Sequence, residues 1–299
     1  MRLTILSRSA TIPSTGRMAE AARDKGHKVR ILNPTKVELH LGGRTAAIFY
    51  KRKRLVPPDV VIPRIAGSIS SYGLAVVEQF QMRGCQLMNS ARAIGQSRNP
   101  MRCLQLLSAA GVDIPATVMA REAADLKEMV DLVGGVPVLV KLLQGQERKG
   151  IMVCETLQSL EAALEAVLGL GHNLVVQQYV KTRAADVRVF VVGGQALCAV
   201  RRHPRVGRLR RSLTKGARLE KMELTASLRA AAETSARLCE LEICAVDMLD
   251  GKGGPKVFEL NSSPAITEME DATKVDLAAA IIARAEQLHA RQPLRAVND

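Results

Sequence analysis

Residues 243–264 read ICAVDMLDGKGGPKVFELNSSP, and their reading decides the fold. Two apolar, β-favouring runs, ICAVDML and PKVFELN, flank Gly251-Lys252-Gly253-Gly254, the pattern of two strands joined by a glycine turn. Asp247 lies inside the first run, and Glu259 and Asn261 end the second. Residues two apart on a strand share a face, so Glu259 and Asn261 project together, and pairing through the turn lets Asp247 face them. Two carboxylates and an amide oxygen on one sheet surface suit Mg²⁺, a hard cation that takes a few carboxylates together with substrate phosphates. A polar strand end with Asn261 in an Asx turn would give the same letters.

Working upstream, DVRVFVV (186–192) and QALCAVR (195–201) flank Gly193-Gly194, a strong hairpin signal. Between that hairpin and a helix over 223–239, the segment 201–221 reads as irregular and basic. It carries Arg201, Arg202, Arg205, Arg208, Arg210, Arg211, Lys215, Arg218 and Lys221 against Glu220. Solvation of a flexible loop or an acidic partner would each account for it. NLVVQQYV (173–180) reads as a strand, and PVLVKLL (137–143) with GIMVCE (150–155) as a hairpin. Helices are expected over 99–110, 122–132 and 157–168. Lys141, inside an apolar run, either snorkels at a strand edge or meets an anion. The loop after it holds Gly145 and Gly150, which would let backbone N–H groups approach phosphate.

The first 90 residues alternate strand and helix: LTIL (3–6), a helix over 16–25 stopped by Gly26, KVRIL (28–32), AAIFY (46–50), DVVIP (59–63) and a helix over 72–83. Such alternation argues for an α/β domain with a parallel sheet. No GxGxxG follows the first strand, which excludes the dinucleotide fingerprint. Arg8 and Arg64 each follow a strand of this domain, at the edge where open α/β sheets bind ligands. A helix from about Val275 to His289 and a frayed tail end the chain.

The 299 residues carry a formal net charge of +14, with four Phe, three Tyr and no Trp. A polyanionic partner is implied, but the scarcity of aromatics speaks against a single-strand binder that stacks bases. No apolar run reaches the ~20 residues of a membrane span. The five histidines fit no zinc spacing, and no Ser-His-Asp or Cys-His arrangement stands out. Six scattered cysteines without a CxxC pair read as buried free thiols of a reducing, cytoplasmic compartment.

Taken together, these segments resemble the ATP-grasp superfamily, and within it the RimK-type ligases, which add glutamate to the C-terminus of a ribosomal protein. The resemblance runs over nearly the whole chain, through ILSR (5–8), VIPRI (61–65), YG (72–73), GVDIP (111–115), VKL (140–142), VQQYV (176–180), DVRVFVVG (186–193), AVDML (245–249) and FELNSSP (258–264). It implies an α/β and α+β architecture: an N-terminal parallel-sheet domain (1–90), then two α+β subdomains (91–172 and 173–290) enclosing ATP, and a tail (291–299). The chemistry it implies is phosphorylation of a carboxylate by ATP and attack of an amine on the acyl phosphate. Glutamate would be the added amino acid and a protein or peptide the acceptor. Ligation of a small metabolite, or a degenerate scaffold that binds nucleotide without catalysis, are the alternatives. Mg²⁺, or Mn²⁺ in its place, would serve as cofactor, nucleic acid is not expected as substrate, and a homotetramer is the family's assembly.

Position by position, the resemblance makes Asp247, Glu259 and Asn261 the metal ligands and Lys141 a phosphate contact. Gln177, Gln178, Tyr179 and Val180 become the adenine hinge. Asp186 and Arg188 become the pair near nucleotide and transferred phosphate, with Arg210 or Arg211 as the loop arginine, and Gly145 and Gly150 belong to the phosphate loop. Departures are Pro100 where the family has a second phosphate lysine, Arg148 in place of the middle loop glycine, Gln178 for the hinge acid, Ser212 for an asparagine, and Ala217 and Ala265 for glycines. Loss of one charge-assisted hydrogen bond at Pro100 would weaken ATP roughly 10- to 100-fold. Arg148 and Lys149 can supply charge in compensation. Lys51-Arg52-Lys53-Arg54 stays outside this account.

Overall fold

A computed structural model describes residues 1–42, 47–120, 125–142, 151–168, 174–181, 186–203, 218–251 and 253–291. The opening alternation folds as read. Strands β1 (Arg2–Leu6), β2 (Lys28–Leu32), β6 (Val60–Pro63) and β7 (Gln86–Leu87) form a parallel sheet in the order β2-β1-β6-β7. The helix Pro13–Asp24 starts at a proline, whose fixed φ suits a first helical turn. The expected strand at 46–50 departs from this sheet. As β4 (Ala47–Tyr50) it pairs antiparallel with β3 (Val37–His40) and β5 (Lys53–Arg54) in a separate three-stranded sheet. Its turn holds Lys51 and Arg52 at φ 51° and 63°, and all four cations of 51–54 are exposed.

The central sheet is antiparallel, with β8 (Thr117–Ala120), β9 (Val138–Leu142), β10 (Ile151–Cys154) and β11 (Leu174–Gln178) in the order β10-β9-β11-β8. Strand β11 bonds to both β9 and β8, so this sheet runs past the division expected at 172/173. Alternation sorts its faces. Val138, Val140, Cys154 and Val176 pack on the helices Leu126–Leu132 and Leu157–Leu168, while Thr117, Leu139, Lys141 and Gln177 share the opposite face.

The third sheet has five antiparallel strands, β12 (Asp186–Val192), β13 (Gln195–His203), β14 (Arg218–Met222), β15 (Ile243–Gly251) and β16 (Gly254–Asn261), in the order β14-β13-β12-β15-β16. Gly193 and Gly194, at φ 58° and 79°, make the two-residue turn between β12 and β13 that non-glycine residues rarely adopt. The basic segment is therefore only partly irregular: Arg201–His203 extend β13 and 218–222 form β14, while 204–217 lie outside the described residues.

One face of this sheet (Val187, Val189, Val191, Val246, Met248, Val257, Leu260) packs with residues of the helices Ala226–Leu238 and Pro100–Ala109. The other face is split along its length. Phe190, Val192, Cys198, Val200 and Ile243 join Leu3, Ile5, Val60, Ile62, Met18 and Ile281 in one continuous core that welds the N-terminal sheet to the C-terminal one. Each such side chain removed from water contributes roughly 1.5–3 kcal/mol. One turn of pleat further on, the same face becomes polar, and the candidate site begins there.

Candidate active site

The register of the third sheet brings the charged residues together. Asp247 pairs with Arg188 on one side and Glu259 on the other, Ala245 pairs with Asn261, and Asp186 pairs with Arg202. All project from the face that carries Phe190, since directly opposed and alternate residues share a side. Asp247 is fully buried. Arg188 grips it in a two-point fork, Nε to Oδ1 and Nη2 to Oδ2, each at 2.7 Å. Arg202, 2% exposed, grips Asp186 the same way at 2.6 Å and places Nη2 3.0 Å from Asp247 Oδ2. Burial lowers the Arg202 pKa, but the Asp247 and Asp186 carboxylates outweigh it and hold the guanidinium above its ordinary value.

Asn261 Oδ1 accepts from the Ser263 backbone N–H at 2.9 Å, the Asx-turn geometry foreseen as the plainer reading of this position. Asp247, Glu259 and Asn261 present only oxygen donors, which fits a hard divalent cation. Among the described residues no group of three or more His, Cys, Asp and Glu side chains is arranged for a metal, so any such site rests on two carboxylates and an amide.

Lys141 sits on β9, an interior strand, so it is not snorkelling at an edge. Its Nζ donates to Gln177 Oε1 at 2.6 Å, and Gln177 Nε2 donates to Thr117 Oγ1 at 2.8 Å. Gln177, read as part of a backbone hinge, is thus buried and orients the lysine with its side chain. The Lys141 ammonium also lies 6.0 Å from the centroid of the Phe258 ring. Phe258 is the extra residue of a β-bulge: Asp247 and Met248 are consecutive, yet they pair with Glu259 and Val257. Bulges re-aim side chains and recur beside active sites; this one brings β16 against the lysine face of the central sheet.

Of the hinge residues, Gln178 donates its backbone N–H to the Ala116 carbonyl at 2.8 Å, and Tyr179 and Val180 are half-buried just beyond β11. Gly145, Gly150, Arg210 and Arg211 lie outside the described residues. Pro100 opens the helix Pro100–Ala109, capped by Asn99, whose side chain accepts the Arg102 N–H at 3.1 Å. A helix start thus stands where the resemblance would place a second phosphate lysine. Arg8 is exposed. Arg64 leaves β6 to donate from Nη1 to the Pro264 carbonyl at 2.8 Å, and burial pushes its pKa down to about 10. Sequence reading missed Arg202 as a site residue, along with Thr117 and Phe258. The signal for Arg202 was present, since it alternates with Val200 and Cys198 in a strand pattern, but the density of cations around it masked the period.

Comparison with known proteins gives the family and the fold. Residues 1–94 match the RimK PreATP-grasp domain and residues 97–285 the RimK-like ATP-grasp domain. A protein named probable alpha-L-glutamate ligase from Hydrogenovibrio crunogenus is 38% identical over 288 residues, covering 96% of each chain. Among solved structures, the ATP-grasp ligase PsnB complexed with minimal precursor, Mg and ADP superposes with a TM-score of 0.74 at 20% identity, over 97% of this chain and 98% of PsnB. PsnB complexed with the precursor peptide PsnA2 and AMPPNP gives 0.72 at 21%, over 95% and 97%. With both domain models matched across nearly its whole length, the chain belongs to the RimK-like ATP-grasp family and is a ligase of the kind that forms carbon–nitrogen bonds.

Proposed function

We propose that this ligase activates a carboxylate at the end of a protein or peptide with ATP and joins glutamate to it. The observation that carries the reading is the meeting of two faces: Lys141 on the central sheet, and Asp247, Glu259 and Arg188 on the C-terminal sheet, linked where Phe258 approaches Lys141. A triphosphate between them would meet the Lys141 ammonium on one side. On the other it would meet a cation held by Asp247, Glu259 and Asn261. Bound Mg²⁺, or Mn²⁺, would neutralise the triphosphate during phosphoryl transfer. Arg188, whose Nε and Nη2 are committed to Asp247, is held rigidly at the edge of this space to stabilise the transferred phosphoryl group. The adenine would lie against Gln177 to Val180, with Asp186 nearby, and Gly145, Gly150 and Arg210 or Arg211 would close over the phosphates.

The relative named as a glutamate ligase supports glutamate as the added amino acid, and the precursor complexes of PsnB support a peptide acceptor. The reading includes three parts, residues 1–90, 91 to about 180 and the remainder to 290, with 291–299 as a tail, the middle division being moved to keep β11 with its sheet. It also includes a cytoplasmic homo-oligomer. The test is ADP release with ATP, glutamate and acidic-tailed peptides, followed by intact-mass measurement of the peptide. Mass steps of one glutamyl residue are expected, and Glu259→Gln should lower turnover at least 100-fold. Undiminished turnover in that variant would overturn the metal assignment.

A further inference from the structure

We propose that Arg202 is a positioning residue for the candidate metal site, acting through Asp247. Three observations carry this. The first is reach. Arg202 stands on β13, and β12 separates β13 from β15, yet its Nη2 lies 3.0 Å from Asp247 Oδ2 on β15. Its side chain therefore crosses β12, gripping Asp186 at the start of that strand on the way. The second is geometry. With Arg188 forked onto Asp247 and Arg202 touching the same carboxylate, the plane of Asp247 is fixed from two sides. Acid and base alternate as Asp186, Arg202, Asp247, Arg188, and the row is neutral before Glu259 is counted.

The third is what the arrangement forgoes. Arg202 is 2% exposed, lies opposite Leu219 on β14 and is two residues from Val200. Its Nη1 is buried and has no hydrogen-bond partner among the described residues. An unpaired buried charged donor is unfavourable, and buried ion pairs are commonly no more stabilising than apolar side chains of the same size. Stability alone therefore gives poor reason for an arginine here. Orientation gives a better one: a carboxylate that is to hold a cation must be kept in one rotamer, and loss of the groups behind the ligands typically costs about 10- to 100-fold in metal affinity.

The inference rests on the proposed metal role of Asp247, and the experiment separates the two. Arg202→Lys keeps the charge but replaces the planar fork by a compact ammonium, which cannot reproduce the two-point grip on Asp186 together with the contact to Asp247. ADP binding is measured by calorimetry on the full chain, in excess EDTA and in excess Mg²⁺. In the parent protein Mg²⁺ should tighten ADP; if it does not, the metal assignment itself fails and this proposal with it. In Arg202→Lys the affinity in EDTA should stay within about twofold, while the gain from Mg²⁺ shrinks about tenfold or more. An unchanged Mg²⁺ gain, or an equal loss in both conditions, overturns the positioning role. Should the variant not fold, a crystal structure of the parent protein with ADP and Mg²⁺ decides. Arg202 bridging Asp186 to a metal-bound Asp247 supports the proposal, and Arg202 withdrawn from Asp247 overturns it.

Discussion

At the scale of single residues, the candidate site holds in place side chains that would otherwise be mobile. Lys141 is the clearest case. A lysine stem has four rotatable bonds, and the acceptor Gln177 Oε1 at 2.6 Å selects one arrangement; Thr117 in turn fixes the Gln177 amide. Gln177→Leu preserves bulk but removes the acceptor. We expect KM for ATP to rise about tenfold, the equivalent of roughly 1.4 kcal/mol, with kcat changed much less. Steady-state ADP release over an ATP series measures it, and an unchanged KM would show that Lys141 needs no such support. The meeting of Asp247 and Glu259 on neighbouring strands could be anticipated from letters because strand alternation and a glycine turn are local signals. Arg202 and Phe258 could not, because one depends on reach across a neighbouring strand and the other on a bulge that only pairing reveals.

At the scale of elements, short apolar strands were legible and short polar ones were not. The runs at 3–6, 28–32, 59–63, 186–192 and 243–249 carry enough Val, Ile and Leu to declare themselves. By contrast, β3 (VELH) and β14 (RLEKM) are charged segments held by partners that sequence alone does not identify. The helix Ala91–Arg98 was not expected from the sequence: it is only eight residues long and ends where Asn99 and Pro100, a cap and a first-turn proline, start a second helix directly after it. The edge where β1 meets β6 offers a test with a defined sign. Asp59 Oδ2 accepts the Arg2 backbone N–H at 2.6 Å and Oδ1 the Arg2 guanidinium at 2.9 Å. Burial raises the Asp59 pKa, but the bonds and charge of Arg2 outweigh it and hold the carboxyl below its ordinary value. Its contribution is thus present above the unfolded value of about 3.9 and fades as pH falls through the lower folded one. Asp59→Asn should cost about 0.5–1 kcal/mol in urea unfolding at pH 7, because Arg2 is half-exposed. The difference from the parent should shrink as pH falls below about 3.9 and through the lower folded value; a gap undiminished in acid would rule out the carboxylate as its source.

At the scale of the whole molecule, the N-terminal and C-terminal sheets are packed onto one core. Their shared core is sealed by Asn89, 2% exposed, which donates to the carbonyls of Ile243 and Ser262 and accepts from the N–H groups of Glu242 and Ile243, at 2.8–3.1 Å. One amide thereby satisfies four backbone groups at the end of the sheet where β15 begins and β16 ends. Asn89→Ala should destabilise by about 2–4 kcal/mol, measured as a lower midpoint in urea. A loss under 1 kcal/mol would show that the apolar contacts hold the two parts unaided. The six cysteines have a separate consequence. None is in a disulfide and all are buried, with Cys85 in the N-terminal core, Cys154 under the central sheet, and Cys103, Cys198, Cys239 and Cys244 around the C-terminal sheet. The native protein therefore shields every thiol it has, and alkylation becomes a clock for opening. The order in which the six are labelled over time would chart which sheet breathes first, without a reporter having to be engineered in.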